Sequence, residues 1–581
     1  MTDKKMVKVT IDGIEVEVEE GSKVIDAARK AGVNIPTLCY LKDINEFGSC
    51  RMCLVEASGA RGLVAACVYP VADGMEVTTD SPAIRKSRRM SLELILSNHR
   101  TSCTTCDRSG DCELRRLSED LGVDDIRFEV QEMQPELEET SPHLIRDNTK
   151  CVLCRRCVAA CRKTQEVGVL TPIDRGFATH IGCSFERDLA EVNCVNCGQC
   201  IAACPTGALT LKRQSNDVLD AIADKDKVVI AMTAPAVRVG LGDRFGMPVG
   251  SDVEAKMVSA LKRIGFDYVF DVDWAADVTI MEEGTELINR IKEGSTMPMF
   301  TSCCPGWIKY MEHYHHDMLD NLSTCRSPQQ MHGGLVKTYW AEKMGIDPEK
   351  IVVVSIMPCT AKKFEISREE QRLENGLLPT DFSLTTRELA DMIAAKGILF
   401  DQLDGANFDS LMGESTGAAV IFGATGGVME AALRTAAVIL EGDSADVPID
   451  FKETRGMEGV KEATYEVGGK TLRVCIASGL ANAEKVIRAI KSGEKEYDFI
   501  EVMACPGGCV NGGGQPIHSS FEKACNNVAS LRANGLYEND SNKTLRRSLD
   551  NSEVKKLYED YLGEPNGEKS HKILHCSYNK R

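Results

Sequence analysis

No stretch of this 581-residue sequence approaches the ~18 consecutive apolar residues of a membrane-spanning helix. The opening Met-Thr-Asp-Lys-Lys runs straight into a strand-like pattern with no apolar signal core, so no export signal is expected. Basic residues are outnumbered 69 to 87, a net charge of −18, which argues against nucleic acid or an anionic membrane as the main partner. No GxGxxG opens a helix after a strand, and there is no GxxxxGK[ST]. The glycine runs at 422–427 and 511–516 lack that context, so no nucleotide site is expected in the chain itself. What the sequence has in quantity is cysteine, 25 in all. A disulfide scaffold is usually short and exported; this chain is neither, so its thiols are expected to be reduced, cytoplasmic and available to metal.

At roughly 100–200 residues per domain the length predicts about three to five domains. Val7, Val9 and Ile11 alternate with polar residues, Asp12-Gly13 marks a turn, and Ile14, Val16 and Val18 alternate again: a β-hairpin. Ser22 is placed to cap a short helix ending near Gly32. Residues 83–98 carry Leu92, Ile95 and Leu96 at helical spacing, and 124–148 form an acidic linker or surface segment. An internal repeat follows, with one run starting at Cys151 and the other at Cys194. From about 225 apolar strand-like runs alternate with helical segments: Val228–Met232, Tyr268–Asp271, Ile351–Ile356, Val420–Phe422, Leu472–Ile476 and Phe499–Met503. This is an α/β pattern, expected to form two lobes. Ligands of open α/β sheets sit beyond the carboxyl ends of strands, and Cys304, Cys359 and Cys505 fall there.

The most specific signal is Cys151-x2-Cys154-x2-Cys157-x3-Cys161 with Cys194-x2-Cys197-x2-Cys200-x3-Cys204-Pro205, the run of two-cluster bacterial ferredoxins. The fourth cysteine of each run crosses over. Cys151, Cys154, Cys157 and Cys204 are therefore expected to hold one 4Fe–4S cluster, and Cys194, Cys197, Cys200 and Cys161 the other. Cys39-x10-Cys50-x2-Cys53-x13-Cys67 can hold a 2Fe–2S cluster, with a zinc ribbon as the alternative. His99-x3-Cys103-x2-Cys106-x5-Cys112 reads as a third 4Fe–4S site. Its neutral imidazole would raise the cluster potential, whereas alone His99 would read as a helix cap or core residue. Cys304, Cys359, Cys505 and Cys509 are spread over about 200 residues and would ordinarily be core residues. Each lies in a Gly/Pro-rich loop: TSCCPGW, MPCTAKK and EVMACPGGCVNGGGQP.

Those three segments resemble the signatures of the FeFe-hydrogenases, and the upstream modules resemble the accessory domains of the large multi-cluster members. The resemblance spans essentially the whole chain. It implies a multidomain α/β protein: a β-grasp 2Fe–2S ferredoxin domain over 1–82, a His/Cys3 4Fe–4S domain and linker over 83–145, a two-cluster ferredoxin domain over 146–215, and a two-lobed catalytic domain over 225–581. It implies H2 ⇌ 2H⁺ + 2e⁻ at an H-cluster, a 4Fe–4S cubane on Cys304, Cys359, Cys505 and Cys509. Cys509 would bridge to a two-iron subcluster with CO, cyanide and a bridging amine dithiolate.

The resemblance further implies that Cys303 exchanges protons with the bridging amine, followed by Glu283, Ser323, Glu286 and Arg290. On their own, Glu283, Glu286 and Arg290 at i, i+3 and i+7 of a helix would read as a solvated face with an ion pair. Lys362 would donate to a cyanide, though alone it reads as a surface lysine. Met357, Met503, Phe422, Pro328 and Gln329 match pocket positions. Ala234, Pro235 and Ala236 match the segment contacting the other cyanide, where Ala236 replaces the family serine and removes one hydrogen bond. The N-terminal half looks like the catalytic subunit of NAD(P)-linked, sometimes bifurcating, hydrogenase complexes, which implies flavin- and iron–sulfur-containing NAD(P)-reactive partner subunits. The alternatives are a monomeric hydrogenase coupled to ferredoxin and a hydrogen-sensing or electron-transfer iron–sulfur protein.

Overall fold

The computed structural model describes residues 5–129, 137–441, 450–467 and 469–581. Residues 130–136 of the acidic segment lie outside the described residues.

The N-terminal hairpin pairs β1 (Met6–Ile11) with β2 (Ile14–Glu19), and Asp12 and Gly13 both take positive φ at the turn. These strands join β3 (Leu54–Ala57), β4 (Val64–Ala65) and β5 (Met75–Thr78) in a sheet of order β2-β1-β5-β3-β4. Val7, Val9 and Ile11 point into a core with Val24 and Ile25 of the helix Val24–Lys30. Ser22 does not cap that helix: Lys23 is its N-cap, in extended conformation and with no side-chain bond. The next helix, Pro82–Leu96, starts where Ser81 accepts from Ile84 N and Pro82 sets the first turn. It buries Leu92 and Leu96.

The linker is not wholly irregular. Its β6 (Leu144–Arg146) pairs with β9 (Leu209–Leu211), closing the repeat module around the hairpin β7 (Thr171–Ile173) and β8 (His180–Gly182). The two cysteine runs share one backbone path. Leu153 and Asn196, at equivalent positions, have φ of 51° and 60°; Arg155 and Gly198 have φ of 62° and 70°. Asn and Gly suit this left-handed region, whereas Leu and Arg adopt it at a cost. The repeat thus preserves a loop shape even where the residue opposes it.

The large domain holds two four-stranded sheets. In the first, β11 (Tyr268–Asp271), β10 (Val228–Thr233), β13 (Ile351–Met357) and β14 (Phe382–Thr385) run parallel in that order. In the second, the order is β12 (Met299–Phe300), β17 (Phe499–Met503), β16 (Lys470–Ser478), β15 (Val460–Val467), with only the β15–β16 pair antiparallel. The expected strand at Val420–Phe422 is instead helical, the end of Gly417–Val420 and a 3₁₀ turn over Ile421–Gly423. A short apolar run is compatible with either state, and Thr416, accepting from Ala419 N, starts a helix there.

Candidate active site

Loops from the carboxyl ends of four strands, drawn from both sheets, meet at one cavity with about 760 Å³ of atom-free space. From β12 come Cys303 and Cys304, from β13 Cys359, and from β17 Cys505 and, after two glycines at positive φ, Cys509; all five line the cavity. Pro305 opens the helix Pro305–Tyr314 directly after Cys304, and Ala504 N donates to Cys304 Sγ at 3.5 Å, fixing that thiol. Burial pushes the Cys505 thiol up, and Cys359, Cys304 and Cys509 add to the shift. Burial also raises Cys359, to about 11, with Cys304 contributing. Buried thiols that oppose one another's ionisation are a donor set for a cation-rich group, whose binding would release their protons.

The remaining wall carries the positions expected from the sequence. Ala234, Pro235 and Ala236 follow β10, Met357 and Met503 end β13 and β17, and Phe422 comes from the helical turn; each lines the cavity, as do Pro328 and Gln329. Ala236 is fully buried, and its carbonyl accepts from Gln515 Nε2 at 2.7 Å. Lys362 is not a surface lysine. Its Nζ donates to Glu365 Oε2 at 2.9 Å and to the Cys303 carbonyl at 3.2 Å. Burial opposes its charge, but Glu365 more than offsets this and keeps its pKa above the ordinary lysine value. Glu365 also accepts from Ser327 Oγ at 2.8 Å and Gln329 Nε2 at 3.0 Å, so one buried carboxylate orients three side chains.

Cys303 leads away from the cavity. Burial raises its thiol well above 9, with Glu283 the next cause. Glu283 is 1% exposed, and burial, reinforced by Glu286, lifts its pKa to about 8. Its Oε1 accepts from Ser302 N at 3.3 Å, while its Oε2 is buried without a partner among the described residues. Ser323 Oγ donates to Glu286 Oε2 at 2.8 Å, and Arg290 Nη2 donates to Glu286 Oε1 at 2.6 Å. Arg290 is 12% exposed and anchored on the carbonyls of Leu322 and Asp320. Thus Ser323, Glu286 and Arg290 form a hydrogen-bonded run toward the surface, and the buried Glu283 is near enough to both Cys303 and Glu286 for their charges to act on one another.

Three of the four accessory sets of cysteines are brought together. Cys151, Cys154, Cys157 and Cys204 line one cavity with about 380 Å³ of atom-free space. Burial is the main cause raising Cys200, with Cys194 and Cys161 next, so the second crossed set also converges. Near the N-terminus the thiols form two close pairs, Cys39 with Cys50 and Cys53 with Cys67. A hydrogen bond within each pair pushes one thiol down and the other up. A zinc ion with 2.3 Å bonds needs sulfurs about 3.8 Å apart in all pairs. Among the described residues none of these quartets has three ligand atoms within 4.8 Å of one another. Two pairs suit two irons, and wider quartets suit a cubane. His99 follows the helix Pro82–Leu96; burial lowers it to about 4, and its Nδ1 is buried with no partner among the described residues. A neutral imidazole of this kind is a competent ligand. Gly207 lies so close to Cys106 that a Cβ there would sit 2.5 Å from its sulfur, which docks the His/Cys3 module onto the ferredoxin repeat.

The repeat in turn touches the active-site cavity. Thr360, next to Cys359, donates to Asn196 O at 2.7 Å. Burial and Cys505 are the first two causes raising Cys197. A Cβ on Gly513 would lie 2.5 Å from Cys197 O, and one on Gly198 2.4 Å from Thr360 Oγ1. Sequence spacing marked neither glycine, nor Thr360 or Glu365.

Residues 227–513 match the C-terminal domain of the iron-only hydrogenase large subunit, and 526–581 the iron hydrogenase small subunit. The chain is 46% identical to the NADP-reducing hydrogenase subunit HndD of Solidesulfovibrio fructosivorans, over 99% of each chain. The chain belongs to the FeFe-hydrogenase family. It is likewise 40% identical to iron hydrogenase 1 of Clostridium pasteurianum, over 99% of this hydrogenase and 100% of that protein. Its fold matches that of the apo [FeFe]-hydrogenase HydA1 from Chlamydomonas reinhardtii with a TM-score of 0.57 at 40% identity, covering 63% of this chain and 98% of that one. Upstream, residues 4–82 match a 2Fe–2S cluster binding domain, 88–127 the iron–sulfur binding region of NADH-ubiquinone oxidoreductase G, and 150–208 a 4Fe–4S dicluster domain. The hydrogenase is an oxidoreductase acting on H2, with accessory iron–sulfur domains feeding an H-cluster domain. Among the described residues no helix is long and apolar enough to cross a membrane.

Proposed function

We propose that this hydrogenase is the catalytic subunit of a cytoplasmic NAD(P)-linked complex, exchanging electrons with flavin- and iron–sulfur-bearing partner subunits. The observation that carries this reading is the end-to-end similarity to a subunit named NADP-reducing in a chain that itself lacks a dinucleotide motif. The proposed complement is one 2Fe–2S cluster on Cys39, Cys50, Cys53 and Cys67, and three accessory 4Fe–4S clusters. The first of these takes His99, Cys103, Cys106 and Cys112; the two crossed quartets of the repeat take the others. The H-cluster sits on Cys304, Cys359, Cys505 and Cys509. When bound, it supplies the iron site at which H2 is formed or split.

The protein's own residues do the rest. Ala234, Pro235, Ala236, Pro328, Met357, Phe422 and Met503 exclude water; Gln329 and Lys362 face the cavity with polar atoms held by Glu365. Cys303 Sγ passes protons between the cavity and Glu283, whose raised pKa lets it hold a proton at neutral pH. In this route the hydrogen-bonded pair Ser323 and Glu286 follows Glu283, and Arg290 holds Glu286 at the outer end. A cluster held in part by Cys197 would supply the electron exit, because the Cys197 carbonyl packs against Gly513 and Thr360 donates to Asn196 O.

Purification from native cells under anaerobic conditions tests the partner reading. A stable assembly that reduces NAD(P)⁺ with H2 is expected. A lone chain that reduces ferredoxin and, after mixing with no other subunit, shows full turnover would overturn it.

A further inference from the structure

A cluster that shares Glu286 with the proton line contains two further residues that the line does not use. We propose that Glu286, Cys325 and His575 form a binding site for a borderline-soft divalent cation of the Zn²⁺ type, and that its occupation arrests proton transfer. The second half of this proposal rests on the route through Glu286 given above.

A carboxylate oxygen of Glu286, the Cys325 sulfur and one ring nitrogen of His575 all lie within 4.8 Å of one another. Cys325 is fully buried and His575 is 7% exposed. They come from distant parts of the chain. Glu286 is on the helix Val272–Glu293, Cys325 follows Ser323, and His575 is delivered by the C-terminal segment. That segment pairs antiparallel with Cys325, through Arg326 N to Leu574 O at 2.8 Å and Cys576 N to Thr324 O at 2.9 Å. Glu286 Oε2 is 3.8 Å from Cys325 Sγ.

One sulfur, one nitrogen and one oxygen make a donor set for zinc, and leave a fourth position for water. Magnesium and calcium require oxygen ligands and are disfavoured. With bonds of 2.0–2.3 Å, tetrahedral ligand atoms stand roughly 3.3–3.8 Å apart, so the three side chains need to close only slightly.

A second feature prepares the imidazole. Glu282 is fully buried and accepts from Tyr558 OH at 2.6 Å, Ser570 Oγ at 2.6 Å and Asn566 N at 2.7 Å. His575 Nε2 is 3.1 Å from the same carboxylate, and its Nδ1 is 2.8 Å from Thr324 Oγ1. A carboxylate on Nε2 orients the ring as the usual outer partner of a metal-bound imidazole does, leaving Nδ1 to exchange the Thr324 hydroxyl for the ion. No residue of the proton line needs this arrangement. The exposed His571 lies against His575, with ring centroids 4.2 Å apart and planes tilted by 37°, which places a second imidazole beside the cluster.

A cation here would engage the Glu286 oxygen that accepts from Ser323, at the step between Glu283 and the surface. The test is zinc titration of the fully loaded, chelator-washed enzyme, read by zinc K-edge absorption and by H2 turnover. The expected result is one zinc per chain with a single sulfur among nitrogen and oxygen ligands, and at least tenfold slower turnover reversed by chelator. His575→Gln and Cys325→Ala should each lose that zinc, measured as bound metal. No stoichiometric zinc, an all-sulfur shell, or equal binding by both variants would overturn the site. Zinc bound with the mixed shell while turnover stays unchanged would leave the site standing and overturn the proton route through Glu286.

Discussion

Replacing Glu283 by glutamine should make the protein more stable and nearly inactive. Glu283 has a pKa of about 8 against an ordinary 4.5, chiefly because it is buried. The sign follows from proton linkage. Above pH 4.5 the unfolded chain releases a proton that the folded chain still holds, so ionisation favours unfolding. The penalty is absent well below pH 4.5, grows as pH rises, and levels off above pH 8. Its size is about 1 kcal/mol at pH 5, about 3 at pH 7 and about 4 at pH 8. Glutamine keeps the volume and an oxygen for Ser302 N, and has no proton to lose. Glu283 Oε2 already lacks a partner among the described residues, so the new amide adds little cost. Thermal midpoints of Glu283→Gln and wild type should therefore nearly coincide at pH 5 and separate by pH 8, with the variant higher. H2 turnover should fall by about 10²–10⁴, the scale of a lost proton-transfer group. A variant less stable than wild type at pH 8 would show that Glu283 is not destabilised by burial, and near-wild-type turnover would remove it from the proton route.

Cys303→Ser should reduce turnover greatly while every iron centre stays loaded, checked by metal content and assay together; near-normal activity would remove the thiol from the proton route. Ala236→Ser should shift a cyanide stretching frequency, since Ala236 lines the cavity where a hydroxyl would add a donor; unchanged infrared bands would count against it. Glu365→Ala should strand the buried Lys362 ammonium and cost about 3–5 kcal/mol. A lowered thermal midpoint checks this, and an unaltered one would mean that the pair is dispensable.

How much of this was legible beforehand depended on whether a signal was local. Cysteine spacing is local, because a short loop must wrap a cluster, and the crossed quartet with Cys204 lines one cavity. The strand runs at 268–271 and 499–503 are local too, being continuous apolar segments between turns, and the structure has both. The Val420–Phe422 run failed because an apolar triplet in a fully buried layer carries no period, and a capping threonine decided its state. Only the resemblance points Lys362 to the pocket; taken alone it carries no mark of burial, because its partner Glu365, three residues on, is buried with it only in the fold. His575 next to Cys325, or Gly513 against Cys197, could not be read at all. Each contact joins segments more than 200 residues apart, and single residues bear no mark of what the fold will set beside them.

The central claim is that cysteines from three strand ends grip an organometallic iron centre supplied by a chain of accessory clusters. Infrared spectroscopy of the anaerobically prepared, fully loaded protein tests it most directly. CO and cyanide stretching bands that shift when H2 replaces inert gas are expected. Accessory clusters present in full, with no such bands or with bands indifferent to H2, would contradict it.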